Sequence, residues 1–318
     1  MKNILIAFSI SFFIFSCTKK DEATKPKEPW VQLYSLGNQV NGIKCLRDTF
    51  VVSCNITESE YTMPYFYTGV LTDHSSGILG HVGPPHGNTM ITSYGNGLYV
   101  GTFGSGVYYS KDLCQTWEPK NNGITGVKFI FDIVDTDKGL YACSEKIFFS
   151  DDKGESWTNI SIPTMVNAAT LIGVENTLFA SVRTNASTEN IVFRSIDNGE
   201  NWLLKENMPE GSIYKFAYMN EMLYAVSANN NTSEVYVSAN KGNTWTKGNG
   251  LNSFGGVYFS CFESYNGTVY VGGSNGVYKS TDNGLNWTSI GSKDVTAMVR
   301  KDNILYVGNL KGIYERQL

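Results

Sequence analysis

The sequence predicts an all-β fold, a seven-bladed β-propeller of four-stranded antiparallel blades in which the N-terminal strand closes the last blade. Three observations predict it. A short motif that ends in tryptophan occurs five times, successive copies lie 40, 45, 43 and 42 residues apart, and the sixth tryptophan lies two such intervals before the first copy. A period of roughly 40–45 residues that holds several short strands is typical of propeller blades and not of helical solenoids.

Each copy of the motif places Ser, then Asp or Asn, and then in most cases Gly at fixed positions before its tryptophan. Ser and Asp side chains accept hydrogen bonds from backbone N–H groups in tight turns, and Gly supplies the positive φ that such turns need. The first copy has Cys114 where the others have Gly, so we expect that turn to be strained or rearranged. The residues that we expect to hold these turns are Ser110, Asp112 and Trp117; Ser150, Asp152, Gly154 and Trp157; Ser195, Asp197, Gly199 and Trp202; Ser238, Asn240, Gly242 and Trp245; and Ser280, Asp282, Gly284 and Trp287.

The number of blades follows from the two ends of the repeat. Trp30 and Trp117 are 87 residues apart, which leaves room for one degenerate blade whose motif has decayed at residues 72–77. Near the C-terminus, residues 312–314 repeat the Gly-x-Tyr of residues 276–278, but no motif follows. The last blade therefore lacks its outer strand, and we expect the strand that begins at Trp30 to supply it, because this pairing removes a free sheet edge.

The repeated pattern resembles the Asp box, or BNR repeat, of sialidase-like propellers, a class that includes the sortilin ectodomain and the photosystem II assembly factor family. The resemblance covers residues 30–318 and implies the fold but not the ligand. Sialidases also use three converging arginines, a Tyr–Glu nucleophile pair and an acid/base Asp. This chain has only five arginines and lacks their F-R-I-P motif, so the resemblance does not extend to sialidase activity.

The N-terminal residues predict a lipoprotein signal peptide over residues 1–16. Lys2 precedes a run of apolar residues and serines at 4–15, which is too short to span a bilayer as a helix, and Ser16 precedes Cys17. This arrangement resembles bacterial lipoprotein signals, in which the cysteine is lipidated. The alternative is an ordinary signal peptide that is cut elsewhere, with Cys17 incidental.

Residues 17–29 are charged and contain proline, and we interpret them as a flexible tether before a propeller over 30–318. The expected location is the cell envelope, with a lipid anchor as the sole membrane contact. The charged residues 19–22 resemble the tags of Gram-negative lipoproteins that reach the outer membrane and the cell surface.

Composition argues against several classes of function. The net charge is −4 and no basic block occurs, so we expect no nucleic-acid partner. There is no C-x-x-C motif, and the three histidines at residues 74–86 lack a recognised ligand spacing, so we expect neither a metal nor another cofactor. Cys45 and Cys54 flank a predicted hairpin turn, and whether they form a disulfide is left open. We expect a monomer.

Strand order separates two faces of the predicted ring. The motif turns join third and fourth strands on one face, whereas the connections between blades and between second and third strands lie on the other. We expect a ligand on this second face, at the mouth of the central channel, where loops are predicted at 55–64, 183–190, 205–214 and 248–258. The candidate binding residues are Tyr61, Tyr65, Arg183, Tyr214, Phe254 and Tyr258.

Two functions from different classes remain at this point. The first is a non-catalytic propeller that binds a glycan or a protein, since exposed aromatic side chains stack on sugar rings or contact an extended peptide. The alternative is a glycan-cleaving enzyme, a glycoside hydrolase or lyase, that uses two channel carboxylates about 5–10 Å apart. No catalytic residue is predicted. The G-x-S-x-G string at 272–276 is followed at once by a strand, so we interpret it as a repeat turn and not as a nucleophile elbow.

Overall fold

The computed structural model describes residues 30–35, 40–46, 49–58, 61–69, 79–84, 88–126, 129–162, 164–185, 189–229, 232–251, 258–291 and 294–318. The predicted signal peptide, Cys17, the tether and the decayed motif at 72–77 lie outside these residues. No helix among the described residues is long and apolar enough to cross a membrane.

The described strands form seven four-stranded antiparallel sheets, and this is the number that the tryptophan spacing predicts. Six sheets use four consecutive strands, ordered from the channel outward. The seventh places the N-terminal strand beside the last three strands of the chain. We number these sheets as blades 1 to 7 in chain order, beginning with the sheet that starts at Val40.

The strands of the first three blades are between two and ten residues long. Blade 1 contains β2 (Val40–Leu46), β3 (Thr49–Glu58), β4 (Tyr61–Gly69) and β5 (Leu79–Val82). Blade 2 contains β6 (Asn88–Tyr94), β7 (Gly97–Thr102), β8 (Val107–Ser110) and β9 (Glu118–Pro119). Blade 3 contains β10 (Asp132–Asp135), β11 (Leu140–Cys143), β12 (Ile147–Ser150) and β13 (Thr158–Asn159).

The next three blades repeat this pattern, with outer strands of two to four residues. Blade 4 contains β14 (Met165–Val174), β15 (Thr177–Thr184), β16 (Ile191–Ser195) and β17 (Leu203–Leu204). Blade 5 contains β18 (Ser212–Met219), β19 (Met222–Asn229), β20 (Thr232–Ser238) and β21 (Thr246–Lys247). Blade 6 contains β22 (Phe259–Tyr265), β23 (Thr268–Gly273), β24 (Gly276–Ser280) and β25 (Thr288–Gly291).

Blade 7 joins the two ends of the described chain. Its inner strands are β26 (Ala297–Lys301), β27 (Ile304–Asn309) and β28 (Gly312–Gln317), and its outer strand is β1 (Val31–Ser35). β1 runs antiparallel to β28, with Val31 opposite Glu315 and Gln32 opposite Tyr314. The prediction that the N-terminal strand completes the last blade is confirmed.

The core lies between the blades. Seven hydrophobic clusters each combine residues of two neighbouring blades, and together they close the ring. The second strand of a blade has both faces against neighbours, so it is a nearly continuous apolar run. Tyr99, Tyr141, Tyr224 and Tyr306 occupy equivalent positions in four of these strands and are all fully buried.

The five motif turns, which we call box turns, share one hydrogen-bond pattern. In blade 3 the Ser150 hydroxyl donates to Asp152 Oδ1 at 2.8 Å and accepts from the Gly154 N–H at 2.8 Å. The Ser156 N–H donates to Asp152 Oδ1 at 2.9 Å. The other four copies make the same three bonds, and the bond to the Ser hydroxyl is 2.8 Å in every one.

The turn with Cys114 differs less than the sequence suggests. Leu113 and Cys114 have φ of 55° and 69°, and their equivalents Lys153 and Gly154 have φ of 62° and 80°. The Cys114 N–H reaches the Ser110 hydroxyl at 2.8 Å, so the turn is not rearranged. Its strain is the left-handed backbone of a side-chain-bearing residue, which costs roughly 1–2 kcal/mol.

In blades 3 and 4, box-turn residues also make hydrogen bonds to the preceding blade. The Trp157 indole N–H of blade 3 donates to the Lys120 carbonyl of blade 2 at 2.9 Å, and Trp202 of blade 4 donates to the Ile160 carbonyl of blade 3 at 2.7 Å. The Tyr99 hydroxyl of blade 2 donates to the Lys153 carbonyl, within the box turn of blade 3, at 2.9 Å. These hydrogen bonds therefore hold blades 2, 3 and 4 together.

Candidate functional site

The connections between blades and the turns between second and third strands lie together on the face opposite the box turns, and we call this the loop face. One prediction for it is wrong. Residues 55–64 form no long loop, because β3 and β4 continue as a hairpin in which Asn55 lies opposite Pro64 and Glu58 opposite Tyr61. The side chains of Tyr61 and Tyr65, and the whole of Phe254, lie outside what the structure describes.

The innermost strands carry a repeated irregularity where they start at the loop face. In β2, β6, β18 and β22 the register with the second strand skips one residue, namely Asn41, Thr89, Tyr214 and Ser260, and in β14 it skips two, Val166 and Ala169. Such bulges bend a strand and re-aim its side chains. They occur where the strands border the mouth of the channel.

Three phenylalanines are exposed on the loop face at the junction of blades 2 and 3. Phe103, Phe129 and Phe131 are 50%, 40% and 37% exposed. Phe103 lies in the turn after β7 and forms an antiparallel bridge with Phe129, and their ring centroids are 6.4 Å apart in an edge-to-face arrangement. Phe131 directly precedes β10, at the channel. We call these three residues the Phe cluster.

A second aromatic pair lies at the junction of blades 5 and 6, on the far side of the ring. Tyr258 is 56% exposed, and its ring lies 6.1 Å from that of Tyr214, again edge to face. The Tyr214 hydroxyl donates to Ser233 Oγ at 2.8 Å and accepts from the Phe259 N–H at 3.1 Å. Tyr214 is therefore a half-buried support, and Tyr258 is the accessible ring.

The remaining candidate, Arg183, lies within β15 near its end and is exposed. The predicted loop at 183–190 is thus shorter than expected, since the strand continues to Thr184. The structure brings Tyr214 and Tyr258 together, and Arg183 belongs to a different blade.

The mouth of the channel contains a cavity of about 180 Å³. Its lining comes from the innermost strands of five blades, namely β2, β6, β18, β22 and β26. Its polar lining residues include Asn41, Lys44, Lys215, Ser260, Glu263 and Thr296. The cavity therefore combines two cations, one carboxyl and neutral hydrogen-bonding groups.

Burial changes the acidity of two groups in the cavity. Desolvation raises the pKa of Glu263 above its ordinary value, although the backbone N–H groups of Arg300 and Ser264 and the charge of Lys44 act in the opposite direction. Desolvation also raises the pKa of Cys261 to about 12. This thiol is therefore neutral near pH 7.

A buried polar pair lies on neighbouring innermost strands of the same channel. Asp132 is 4% exposed, and its carboxylate accepts a hydrogen bond of 3.0 Å from the Thr170 hydroxyl of the next blade. Neither residue lines the cavity. We find no group of three or more His, Cys, Asp or Glu side chains arranged to hold a metal ion within the described ranges.

Sequence reasoning missed the Phe cluster, Lys44, Lys215 and Glu263. The box turns were recognisable because the same residues recur at the same spacing. Residues beside the channel differ in every blade, and which of them face it depends on the bulges, which leave no signal in residue type. The motif F-I-F at 129–131 in a connection is the one feature that pointed to an exposed aromatic group.

Comparison with known proteins supports the fold and leaves the ligand open. The family model of the DUF6242 beta propeller domain matches residues 213–314. No curated protein matches the chain.

Three solved structures share the fold. The structure of YCF48 bound to D1 peptide is 13% identical over 92% of this chain and 98% of its own, with a TM-score of 0.63. The extracellular domain of the putative one component system BT4673 from B. thetaiotaomicron is 10% identical over 91% of this chain and 40% of its own, with a TM-score of 0.65. The Niastella koreensis GH74 enzyme is 17% identical over 88% of this chain and 43% of its own, with a TM-score of 0.59.

Proposed function

We propose that the protein is a non-catalytic binding propeller of the cell envelope, anchored by a lipid on Cys17, whose loop face holds an extended segment of another protein. The observation that carries this proposal is the Phe cluster. Three exposed large apolar side chains at one junction of blades, two of them in ring contact, are costly in water and are typical of an interaction site.

The geometry of the rings favours a peptide over a glycan. The rings of Phe103 and Phe129 are inclined at 65°, so they present edges and a cleft instead of one flat platform on which a sugar ring stacks. Aliphatic and aromatic side chains of a peptide fit such a cleft. Tyr258, on the other side of the mouth, offers a second contact for a segment that crosses the channel.

Two further considerations support the proposal. The structurally similar YCF48 was solved with a bound peptide. The similar domain of BT4673 is extracellular. The chain also begins with a sequence that predicts export and lipidation at residues 1–17. An envelope location would give the loop face access to exported proteins.

The test uses the full-length protein on an array of 12-residue peptides of varied sequence, beside an array of oligosaccharides. We expect selective peptide binding that Phe131→Ser and Phe103→Ser each weaken by about tenfold. The matched control is Ile196→Ser, because Ile196 is 70% exposed but lies in a box turn on the opposite face. Binding to glycans alone, or equal effects of all three variants, would contradict the proposal. Release from the membrane fraction by Cys17→Ala tests the anchor separately.

Glycan cleavage is the second candidate, and one observation favours it. Glu263 lies in the cavity with a raised pKa, which is the state that a general acid requires. However, Glu263 is the one carboxylate among the described residues that line the cavity, and glycosidases use two. Release of reducing ends from a polysaccharide panel, abolished by Glu263→Gln, would establish this alternative.

A further inference from the structure

We infer that the cavity at the channel mouth binds the carboxylate of an acidic peptide, between the ammonium groups of Lys215 and Lys44. This inference rests on the proposed function and specifies the chemistry of the peptide. Lys215 follows the bulge of β18 directly, and Lys44 lies in β2, so the two cations reach one cavity from different blades.

Neither ammonium group makes a direct ion pair, although the charge of Lys44 acts through space on the carboxyl of Glu263. Within the part of the chain that the structure describes, ion pairs form between other lysines and acids, and neither Lys44 nor Lys215 makes an ion pair or a side-chain hydrogen bond. Both residues are half-buried. A cation that is partly removed from water and unpaired is costly, and a bound anion would offset that cost.

The two thiols near Lys215 do not compete with an anion for its charge. Lys215 lies close enough to Cys143 and Cys261 to act on both thiols electrostatically, and burial raises the pKa of both thiols, so they stay neutral. Among the described residues that line the cavity, Lys44 and Lys215 are the cationic side chains, and Glu263 is the one acidic side chain, whose pKa is raised by burial. The carboxylate of Glu263 accepts backbone N–H groups of Arg300 and Ser264, which hold it at the wall.

The size of the cavity selects the kind of ligand. A volume of about 180 Å³ equals that of about six water molecules at roughly 30 Å³ each. This space admits one carboxylate-bearing side chain or a chain terminus, but not a helix of about 10 Å diameter. Ser260 and Asn41 supply further polar atoms at the rim.

Four small probes separate the possible sources of the carboxylate. N-acetylglutamate methylamide carries it on a side chain, N-acetylalanine at a chain terminus, and galacturonate on a sugar, and N-acetylglutamine methylamide is the uncharged control. Binding to the full-length protein is measured by isothermal titration calorimetry and ligand-observed NMR. We expect one of the two amino-acid carboxylates to bind, and the amide to bind at least about tenfold more weakly.

Variants connect this binding to the two lysines. We expect Lys215→Gln to weaken carboxylate binding by about tenfold, Lys215→Arg to retain it, and the double variant with Lys44→Gln to abolish it. Lys279→Gln removes one charge from the exposed outer part of blade 6 and should change nothing. Thermal melts show whether each variant is folded, and retention by Lys215→Arg keeps the test valid if Lys215→Gln unfolds.

Three results would overturn the inference. They are equal affinity for the glutamate and glutamine probes, unchanged binding in the double lysine variant, and binding of galacturonate alone. Its failure differs from failure of the proposed function. If Lys215→Gln leaves peptide-array binding intact while Phe131→Ser removes it, the loop face binds peptides without using the cavity.

Discussion

The indole N–H of Trp30 donates a hydrogen bond to the backbone carbonyl of Ile290, 260 residues later in the chain, at 3.2 Å. This is the same contact that Trp157 makes with Lys120 and Trp202 with Ile160. Trp30 therefore makes for blade 7 the contact that Trp157 and Trp202 make for blades 3 and 4, although no box turn precedes it.

Removing this indole should destabilise the ring. Trp30 is 7% exposed and packs in the cluster between blades 6 and 7, so Trp30→Ala should lower the free energy of unfolding by about 3–5 kcal/mol. Urea unfolding followed by fluorescence measures the change. Val31→Ala is the control, because Val31 is 44% exposed and should cost less than about 0.5 kcal/mol. Similar losses in both variants would mean that the N-terminal strand does not depend on its tryptophan.

The hydroxyl at the start of a box turn should matter more than the one before its tryptophan. Ser150 is 2% exposed and its hydroxyl both donates to Asp152 and accepts from Gly154, so Ser150→Ala should cost about 1–3 kcal/mol. Ser156 is exposed, and its hydroxyl donates only to Asp152. Ser156→Ala should therefore lower the free energy of unfolding by less than about 1 kcal/mol. Chemical denaturation of the two variants gives the comparison, and the reverse order would contradict the role assigned to the turn.

The box turns should make the protein sensitive to acid. Hydrogen bonds from Ser195 and Asn201 lower the pKa of Asp197 from its ordinary value of 3.8 to about 2, and the pKa of Asp152 is lowered in the same way. A lowered carboxyl pKa contributes stability that is complete above about pH 4 and is lost as the pH falls towards 2. Melting temperatures between pH 5 and 2 should therefore fall.

An asparagine variant tests this source of acid sensitivity. Asn240 already occupies the Asp position in blade 5, and its side-chain N–H donates to Thr244 at 2.9 Å. Asp152→Asn can make the same bond to Ser156, so it should keep most stability at pH 7 and lose less between pH 4 and 2 than the wild type. A parallel decline of both proteins would argue against the contribution of Asp152.

Glu263 should have the opposite pH dependence. Its pKa is raised above the ordinary 4.5 by burial, so the folded state favours the protonated form. Stability from this group is complete below about pH 4 and is lost as the pH rises through the folded pKa. Glu263→Gln should therefore melt at a higher temperature than the wild type at pH 8 and at nearly the same temperature at pH 4. Glu145→Gln, at an exposed site, serves as the control.

The sequence was sufficient for the architecture because its strongest signals are local. A turn such as that of Ser150 to Trp157 needs particular side chains at particular positions, and each repeat shows them. The position of Trp30 was predictable from a different signal, its distance of two repeat intervals from Trp117. The extent of β3 was not, because Asn55 and Pro64 have turn-forming character, yet the hairpin continues through them.

The candidate site was less predictable because it depends on contacts between distant strands. Lys44 and Lys215 are 171 positions apart and meet only because the ring closes. Phe103 and Phe129 become neighbours through a bridge between two connections. Nothing in the residue type of a lysine or a phenylalanine indicates that it borders a channel.

The pairing of β1 with β28 has a consequence for synthesis of the protein. β1 is translated long before β28, the strand with which it pairs. The nascent chain must therefore keep β1 from pairing with other molecules while the intervening sheets form. Loop-closure entropy makes such long-range pairings slow. The pairing of β1 with β28, which closes the ring, should therefore be the final and rate-limiting step of folding.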